Sequence, residues 1–198
     1  MFDQLDDNVV RELTIGHRTI PWHDLDVVSS TMDTARHLAA AGQHSWAAVT
    51  AHCQESGRGT HGRDWLSSRD SGLWLSLILP PPINERVEGL SLVSARVLVM
   101  VLDRLFSLSG VVKEPNDVLI GGRKIAGILL ESESTGNRFD YLILGLGLNL
   151  TQDRSFFNEA ELPEATSVFC ETGLLPERDV VLRAFISTFI DTYLKGAW

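Results

Sequence analysis

Apolar residues recur along this chain in two rhythms. Residues 17–28 alternate loosely, with Ile20, Trp22, Leu25 and Val27 at the apolar positions, and predict a strand. Residues 46–53 and 73–79 are compact apolar runs of strand length, the second stopped by Pro80-Pro81-Pro82, and predict buried strands. Ser29, Ser30 and Thr31 offer N-caps for a helix running to about Ala41 and closed by Gly42. A polar, glycine-rich loop is expected over residues 54–72. Residues 87–107 are apolar nearly all round and predict a central buried helix. Short strands at 111–113 and 118–120 flank Pro115-Asn116-Asp117, and Gly121-Gly122 reads as a turn between strands. Residues 124–133 and 139–149 read as a long hairpin with Thr135-Gly136-Asn137 at its tip. A short helix is expected at residues 3–13 and mostly loop over 151–175. A last helix is expected over 176–195, with Pro176 at its start. Its apolar positions Val180, Val181, Ala184, Phe185, Thr188, Phe189 and Tyr193 recur about one turn apart.

Hairpins dominate this order and βαβ alternation does not. The pattern therefore predicts an α+β fold, a mixed, mostly antiparallel sheet packed by helices. No shift in composition marks a boundary, so one domain is expected over residues 1–198.

Composition narrows the class. A chain of 198 residues can bury roughly 70 % of its unfolded surface and needs no disulfide staples. Hydrophobic residues at 44 % and charged residues at 22 % exclude a wholly disordered or fibrous chain. A net charge of −9 argues against nonspecific nucleic-acid binding and against an anionic membrane surface. The two cysteines, Cys53 and Cys170, form no CxxC pair and read as reduced thiols. The acidic N-terminus lacks the basic start and apolar core of a signal peptide. The most apolar run, residues 97–102, is far short of the about 20 residues that span a bilayer. A soluble, cytoplasmic protein is the expectation.

Four clusters carry candidate chemistry. In residues 54–65 glycines at 57, 59 and 62 permit close backbone approach, while Arg58 and Arg63 offer forked donors for phosphate or carboxylate. The closing Gly-Lys-Ser/Thr of a Walker A loop is missing; a solvated turn is the plain alternative. Lys113-Glu114-Pro115-Asn116-Asp117 suits any tight connection. It becomes a site if Lys113 and Asp117 point one way, as a phosphate cation and a magnesium carboxylate. Lys124 stands at the mouth of an apolar strand that contains Gly127, where a glycine weakens the strand unless something approaches the backbone. Gly145 and Gly147 share one face of a strand, a floor for an apolar ligand or a neighbouring helix, with Asn149 at its end.

In chain order these clusters read Ser30-Thr31, Gly57-Arg58-Gly59-x-x-Gly62-Arg63-x-Trp65, Lys113-x-Pro115-Asn116-Asp117, Lys124-x-x-Gly127-Ile128-Leu129 and Gly145-x-Gly147-x-Asn149. That order resembles the biotin protein ligases, from about residue 25 to 150. The resemblance implies a class II synthetase-like catalytic domain. It implies attack of the biotin carboxylate on the α-phosphate of ATP, with Mg²⁺, to give biotinyl-5′-AMP and pyrophosphate. A lysine of a biotin carboxyl carrier domain then takes the biotinyl group. No enzyme nucleophile is required; catalysis is positioning and charge stabilisation. Carried over by position, Ser30, Thr31, Gln54, Gly57, Arg58, Lys124, Gly127, Leu129 and Gly145 are expected at biotin. Gly59, Arg63, Trp65, Lys113, Asn116, Asp117 and Asn149 are expected at ATP or the adenylate, with Asp117 on the metal. Lys124, Arg58 and Lys113 are the expected catalytic cations.

The chain departs from the family's pattern at two positions. Thr60 stands where an arginine is usual, which predicts a weaker grip on the adenylate, and Glu114 stands where a tryptophan is customary. The resemblance gives no N-terminal DNA-binding domain and no C-terminal SH3-like domain within residues 1–198, and so no operator binding. Ligases of this kind can form homodimers through a sheet edge. A lipoate-type ligase, sharing the adenylation chemistry, is the nearest alternative. A non-catalytic protein that holds biotin or biotinyl-AMP is the second.

Overall fold

The computed structural model describes residues 10–81, 87, 89–136 and 138–196. Strand β1 (Val10–Ile15) turns at Gly16 into β2 (Arg18–Val28), and helix α1 (Thr31–Ala40) leads to β3 (Ala47–Gln54). After β4 (Gly72–Leu79) come α2 (Leu90–Phe106), β5 (Gly110–Lys113), β6 (Asp117–Ile120), β7 (Arg123–Thr135) and β8 (Arg138–Asn149). Helices α3 (Arg154–Glu159), α4 (Val168–Thr172) and α5 (Arg178–Leu194) follow. The strands form an eight-stranded sheet in the order β1-β2-β3-β4-β8-β7-β6-β5. The β2–β3 pair is parallel, and β1–β2, β3–β4, β5–β6 and β6–β7 are antiparallel. This is the mixed, mostly antiparallel sheet expected from the hairpin-rich order. Parallel strands need a crossover, and α1 supplies it.

The chain divides into two compact units. The first is Met1–Arg69 with Trp74–Arg86 and Leu129–Leu146; the second is Asp70–Leu73 with Val87–Ile128 and Gly147–Trp198. In the first, Met32 and Ala35 of α1 pack with Val28, Val49, Ala51 and Ile143. In the second, α5 packs on α2, and α2 on β5 and β6. Phe185 and Phe189 of α5 stack at 5.8 Å, and both are fully buried. Each such aromatic or aliphatic side chain contributes roughly 1.5–3 kcal/mol by leaving water.

Several expectations need correction. The helix expected at residues 3–13 is a strand from Val10 onward; residues 3–9 lie outside the described residues. Leu13 and Ile15 are buried between exposed neighbours, a period of two that pairing with β2 fixes. Residues 151–175 contain α3 and α4, each too short to show a helical period but each capped. Asp153 accepts from the Phe156 N–H at 2.8 Å, and Ser167 from the Cys170 N–H at 3.0 Å. Helix α2 is not buried all round: Arg96, Met100 and Asp103 face solvent, and Ser94, Ala95, Leu98, Val101 and Leu102 form the buried face. On α5 the buried stripe runs through Val181, Leu182, Phe185, Ile186, Phe189, Ile190 and Tyr193, whereas Val180 is exposed. That helix begins at Arg178, just past Pro176.

Candidate active site

The polar loop after β3 folds back on itself as a narrow ladder. Gln54 N–H donates to Ser67 O at 3.2 Å, Trp65 N–H to Gly57 O at 2.8 Å, and Gly59 N–H to Arg63 O at 2.7 Å. A single 3-10 turn, Thr60–Gly62, closes the tip, with His61 at φ 59° and Gly62 at φ 70°. Gly57 is there because nothing larger fits. A Cβ at that position would stand 2.4 Å from Trp65 O and 2.7 Å from Ser67 Oγ. Trp65 meets the buried Trp74 edge to face at 6.5 Å. Arg63 is tied to the tip: its Nη2 donates to Thr60 Oγ1 at 3.0 Å and its Nε to Thr60 O at 3.3 Å. Thr60 thus does more than omit an arginine; it holds the next one.

A directed hydrogen-bond chain joins this ladder to the start of α1. Ser30 caps the helix, its Oγ accepting from the Met32 N–H at 3.3 Å. The helix's first N–H, on Thr31, is an orphan donor by geometry and donates to Gln54 Oε1 at 2.8 Å. Thr31 Oγ1 donates to the same oxygen at 3.1 Å and accepts from Ser76 Oγ at 2.8 Å. Gln54 Nε2 donates to Ser67 Oγ at 2.7 Å, and Ser67 Oγ to Trp65 O at 3.1 Å. The Gln54 carbonyl is therefore spent on the scaffold, and one Nε2 hydrogen is left for a ligand. Beside this chain, Gly145 lets Met32 approach: a Cβ there would stand 2.9 Å from Met32 Sδ and 3.4 Å from Leu129 Cβ. Of the two uses open to the Gly145 face, packing by a helix is the one seen.

Arg58 belongs to an ionic cluster on the same unit. Its Nη2 donates to Asp33 Oδ1 at 2.7 Å, and Arg36 Nη1 donates to that same oxygen at 2.7 Å. Arg36 Nη2 reaches Glu131 Oε2 at 2.6 Å. Burial pushes the Asp33 carboxyl up, but the hydrogen bonds from Arg58 and Arg36 outweigh it and hold Asp33 below the ordinary carboxylate range. Residue-type reasoning missed Asp33, Arg36, Glu131, Ser67 and Ser76. The one available signal was the i, i+3 spacing of Asp33 and Arg36 on a helix.

The second unit holds Lys113, Asn116, Asp117, Lys124, Gly127 and Asn149. Lys113 pairs with Asp117 across β5–β6, and Asp117 with Gly127 across β6–β7. Directly opposed residues share a sheet face, so Lys113 and Asp117 point one way and Gly127 leaves the row low beside Asp117. Asn116 braces the turn, its carbonyl accepting from the Ile128 N–H at 2.9 Å and its Nδ2 donating to Ile128 O at 2.7 Å. The Glu114–Pro115 bond in this turn is cis. Lys124 Nζ meets Asp117 Oδ1 at 2.7 Å, with both side chains partly exposed. The segment before α4 pins the Lys124 backbone from both sides: Lys124 N–H donates to Glu164 O at 2.7 Å, and Thr166 N–H to Lys124 O at 2.9 Å. Asn149 is buried and holds that same segment, donating from Nδ2 to Thr166 O at 3.0 Å and accepting from Gln152 Nε2 at 3.2 Å. Among the described residues no three His, Cys, Asp or Glu side chains gather as a metal cage. Mg²⁺ with a nucleotide needs only one or two carboxylates plus phosphate oxygens, and Asp117 fits that role.

The model of the biotin/lipoate A/B protein ligase family matches residues 25–149. The chain belongs to that family. It is 34 % identical over 169 residues to the bifunctional ligase/repressor BirA of Bacillus spizizenii, covering 85 % of this chain and 52 % of the relative. It is 31 % identical over 173 residues to the biotin–[acetyl-CoA-carboxylase] ligase of Paracoccus denitrificans, covering 80 % of this chain and 72 % of that one. The biotin protein ligase of Aquifex aeolicus, solved with biotin and ATP, superposes with a TM-score of 0.74 at 30 % identity, over 88 % of this chain and 70 % of that one. The chain spans about half the length of the BirA relatives it matches first. Every expected site residue of this ligase-family chain falls within the matched segment.

Proposed function

We propose that this chain is an ATP-dependent biotin protein ligase. The observation that carries the reading is the matched segment itself. Residues 25–149 match the family model and hold all five motifs in order, and the relatives include a biotin–[acetyl-CoA-carboxylase] ligase and a ligase solved with biotin and ATP. A biotin carboxylate oxygen attacks the α-phosphorus of ATP, the bond to the β-phosphate oxygen breaks, and pyrophosphate leaves. The ε-amine of a carrier lysine then attacks the acyl carbon of biotinyl-5′-AMP, loses a proton and expels AMP. The carrier is the biotin carboxyl carrier domain of a biotin-dependent carboxylase.

Ser30, Thr31, Gln54, Gly57, Gly127 and Leu129 serve the biotin side of the reaction, and Gly145 serves it indirectly by letting Met32 of α1 close in beside Leu129. Gln54 has one amide hydrogen to offer, and Thr31 and Ser67 fix its plane. Gly59, Arg63, Trp65 and Asn149 serve the adenylate, Asn149 by holding the segment that backs Lys124. Lys113 and Asn116 serve the ATP phosphates. Asp117 would hold Mg²⁺, which supplies charge neutralisation at the phosphates. Lys124 lies against Asp117 and exchanges that contact for carboxylate or phosphate oxygens as charge develops, while Arg58 keeps its contact with Asp33 and offers its remaining donors to such oxygens.

The test is transfer of labelled biotin to a purified carrier domain with Mg-ATP, following pyrophosphate in parallel. Transfer with stoichiometric pyrophosphate is expected. Pyrophosphate without transfer would leave adenylation and overturn the acceptor. The absence of both signals would overturn the ligase reading.

A further inference from the structure

Asp33 lies on the first turn of α1, three residues past its Ser30 cap, and two guanidinium groups converge on its Oδ1. Its position is set by the helix and by the i, i+3 pair with Arg36, which Glu131 holds in turn at 2.6 Å. Arg58 shares in this cluster through one terminal nitrogen, Nη2. Its Nε is buried and has no hydrogen-bond partner. A guanidinium is planar and its donors are rigidly related, so fixing one terminal nitrogen restricts where Nε–H points. Buried donors are almost always satisfied, and one that is not calls for an acceptor. Asp33 also divides its charge between two cations. Arg58 is therefore held without being fully neutralised and keeps its attraction for an anion.

We propose that Asp33 is a positioning residue for the adenylate: it clamps Arg58 by Nη2 so that the Nε–H is aimed for an anionic ligand oxygen. Asp33 touches Arg58 and not the ligand. The identity of the anion, a carboxylate or phosphate oxygen of biotinyl-5′-AMP, rests on the ligase reading; the clamp does not.

The experiment uses the full chain and the variants Asp33→Asn, Asp33→Glu, Arg58→Ala and the double Asp33→Asn/Arg58→Ala. Adenylate is formed from labelled biotin and Mg-ATP, and its release is timed after dilution into unlabelled biotin. Asp33→Asn, nearly isosteric but uncharged, is expected to speed release about tenfold, or about 1.4 kcal/mol at 25 °C. Asp33→Glu keeps the charge, displaces it by one methylene and falls between. Arg58→Ala speeds release at least as much, and the double variant no more than Arg58→Ala alone, because Asp33 acts through Arg58. Release from Asp33→Asn within twofold of wild type, or effects that multiply in the double variant, would overturn the proposal. The ¹⁵N signal of the Arg58 Nε–H, assigned by its loss in Arg58→Ala, reads the clamp without any ligand. It is expected narrow in wild type and averaged in Asp33→Asn; equal signals overturn the clamp. A wild type that forms no pyrophosphate overturns the ligase reading instead, and the NMR result still decides the clamp.

Discussion

Gly57 and Lys124 show how differently single residues in this site are constrained. Gly57 faces backbone: its missing Cβ would collide with Trp65 O, which the ladder holds in place. Gly57→Ala is expected to destabilise the fold by about 1–3 kcal/mol, as overpacking does, and to depress adenylation with it. Urea melts beside pyrophosphate assays check both. Lys124 is the reverse case. Its partly exposed pair with Asp117 is worth at most about 1 kcal/mol of stability. In the role proposed for it, a cation at developing phosphate charge, it is worth about 100-fold or more in rate. Lys124→Ala should therefore cut adenylation by that factor with a nearly unchanged melt; equal losses would make Lys124 structural. Asp33 adds a pH signature. Its carboxyl is depressed in the fold, so its stabilising contribution is complete above the ordinary Asp value of about 3.9 and is lost as pH falls through the lower folded value. Stability curves of wild type and Asp33→Asn should run parallel above about pH 5 and converge in acid.

At the scale of elements, α5 anchors the second unit by its aromatic stripe. Phe185→Ala is expected to cost about 3–5 kcal/mol, measurable by urea denaturation, because the ring is fully buried and stacked on Phe189. Tyr193 ends the same stripe, and burial pushes its phenol up to about 12. A raised acid of this kind contributes fully below the unfolded value of about 10, and its contribution is lost as pH climbs toward 12. Absorbance titration should show a tyrosine ionising at about 12, and Tyr193→Phe should remove that step while leaving the raised Tyr141 in place. Most elements were legible because their signals are local: the Ser30 cap, the Gly121-Gly122 turn with φ of 55° and 81°, the unbroken burial of β4. Helices α3 and α4 were not, because six and five residues are too few for a period to emerge. Strand β1 was not, because its partner β2 decides its state.

Across the whole molecule, the charge of −9 opposes phosphate contact outside specific pockets. Fluorescence anisotropy should show no binding of this chain to duplex DNA at physiological salt; a salt-dependent micromolar affinity would contradict that. Among the described residues no helix is long and apolar enough to cross a membrane. By itself the sequence determined the family, the sheet-and-helix class and the motif residues, since glycine spacing, caps, turns and apolar runs are properties of neighbours along the chain. Only the tertiary structure decided what each side chain spends its bonds on. Gln54 gives its carbonyl to the first turn of α1, Asn149 its amide to the segment behind Lys124, and Arg58 one nitrogen to Asp33, which lies 25 positions away in the chain. Those partners are fixed by packing between distant segments, and a buried polar group must be satisfied by whatever packing brings to it.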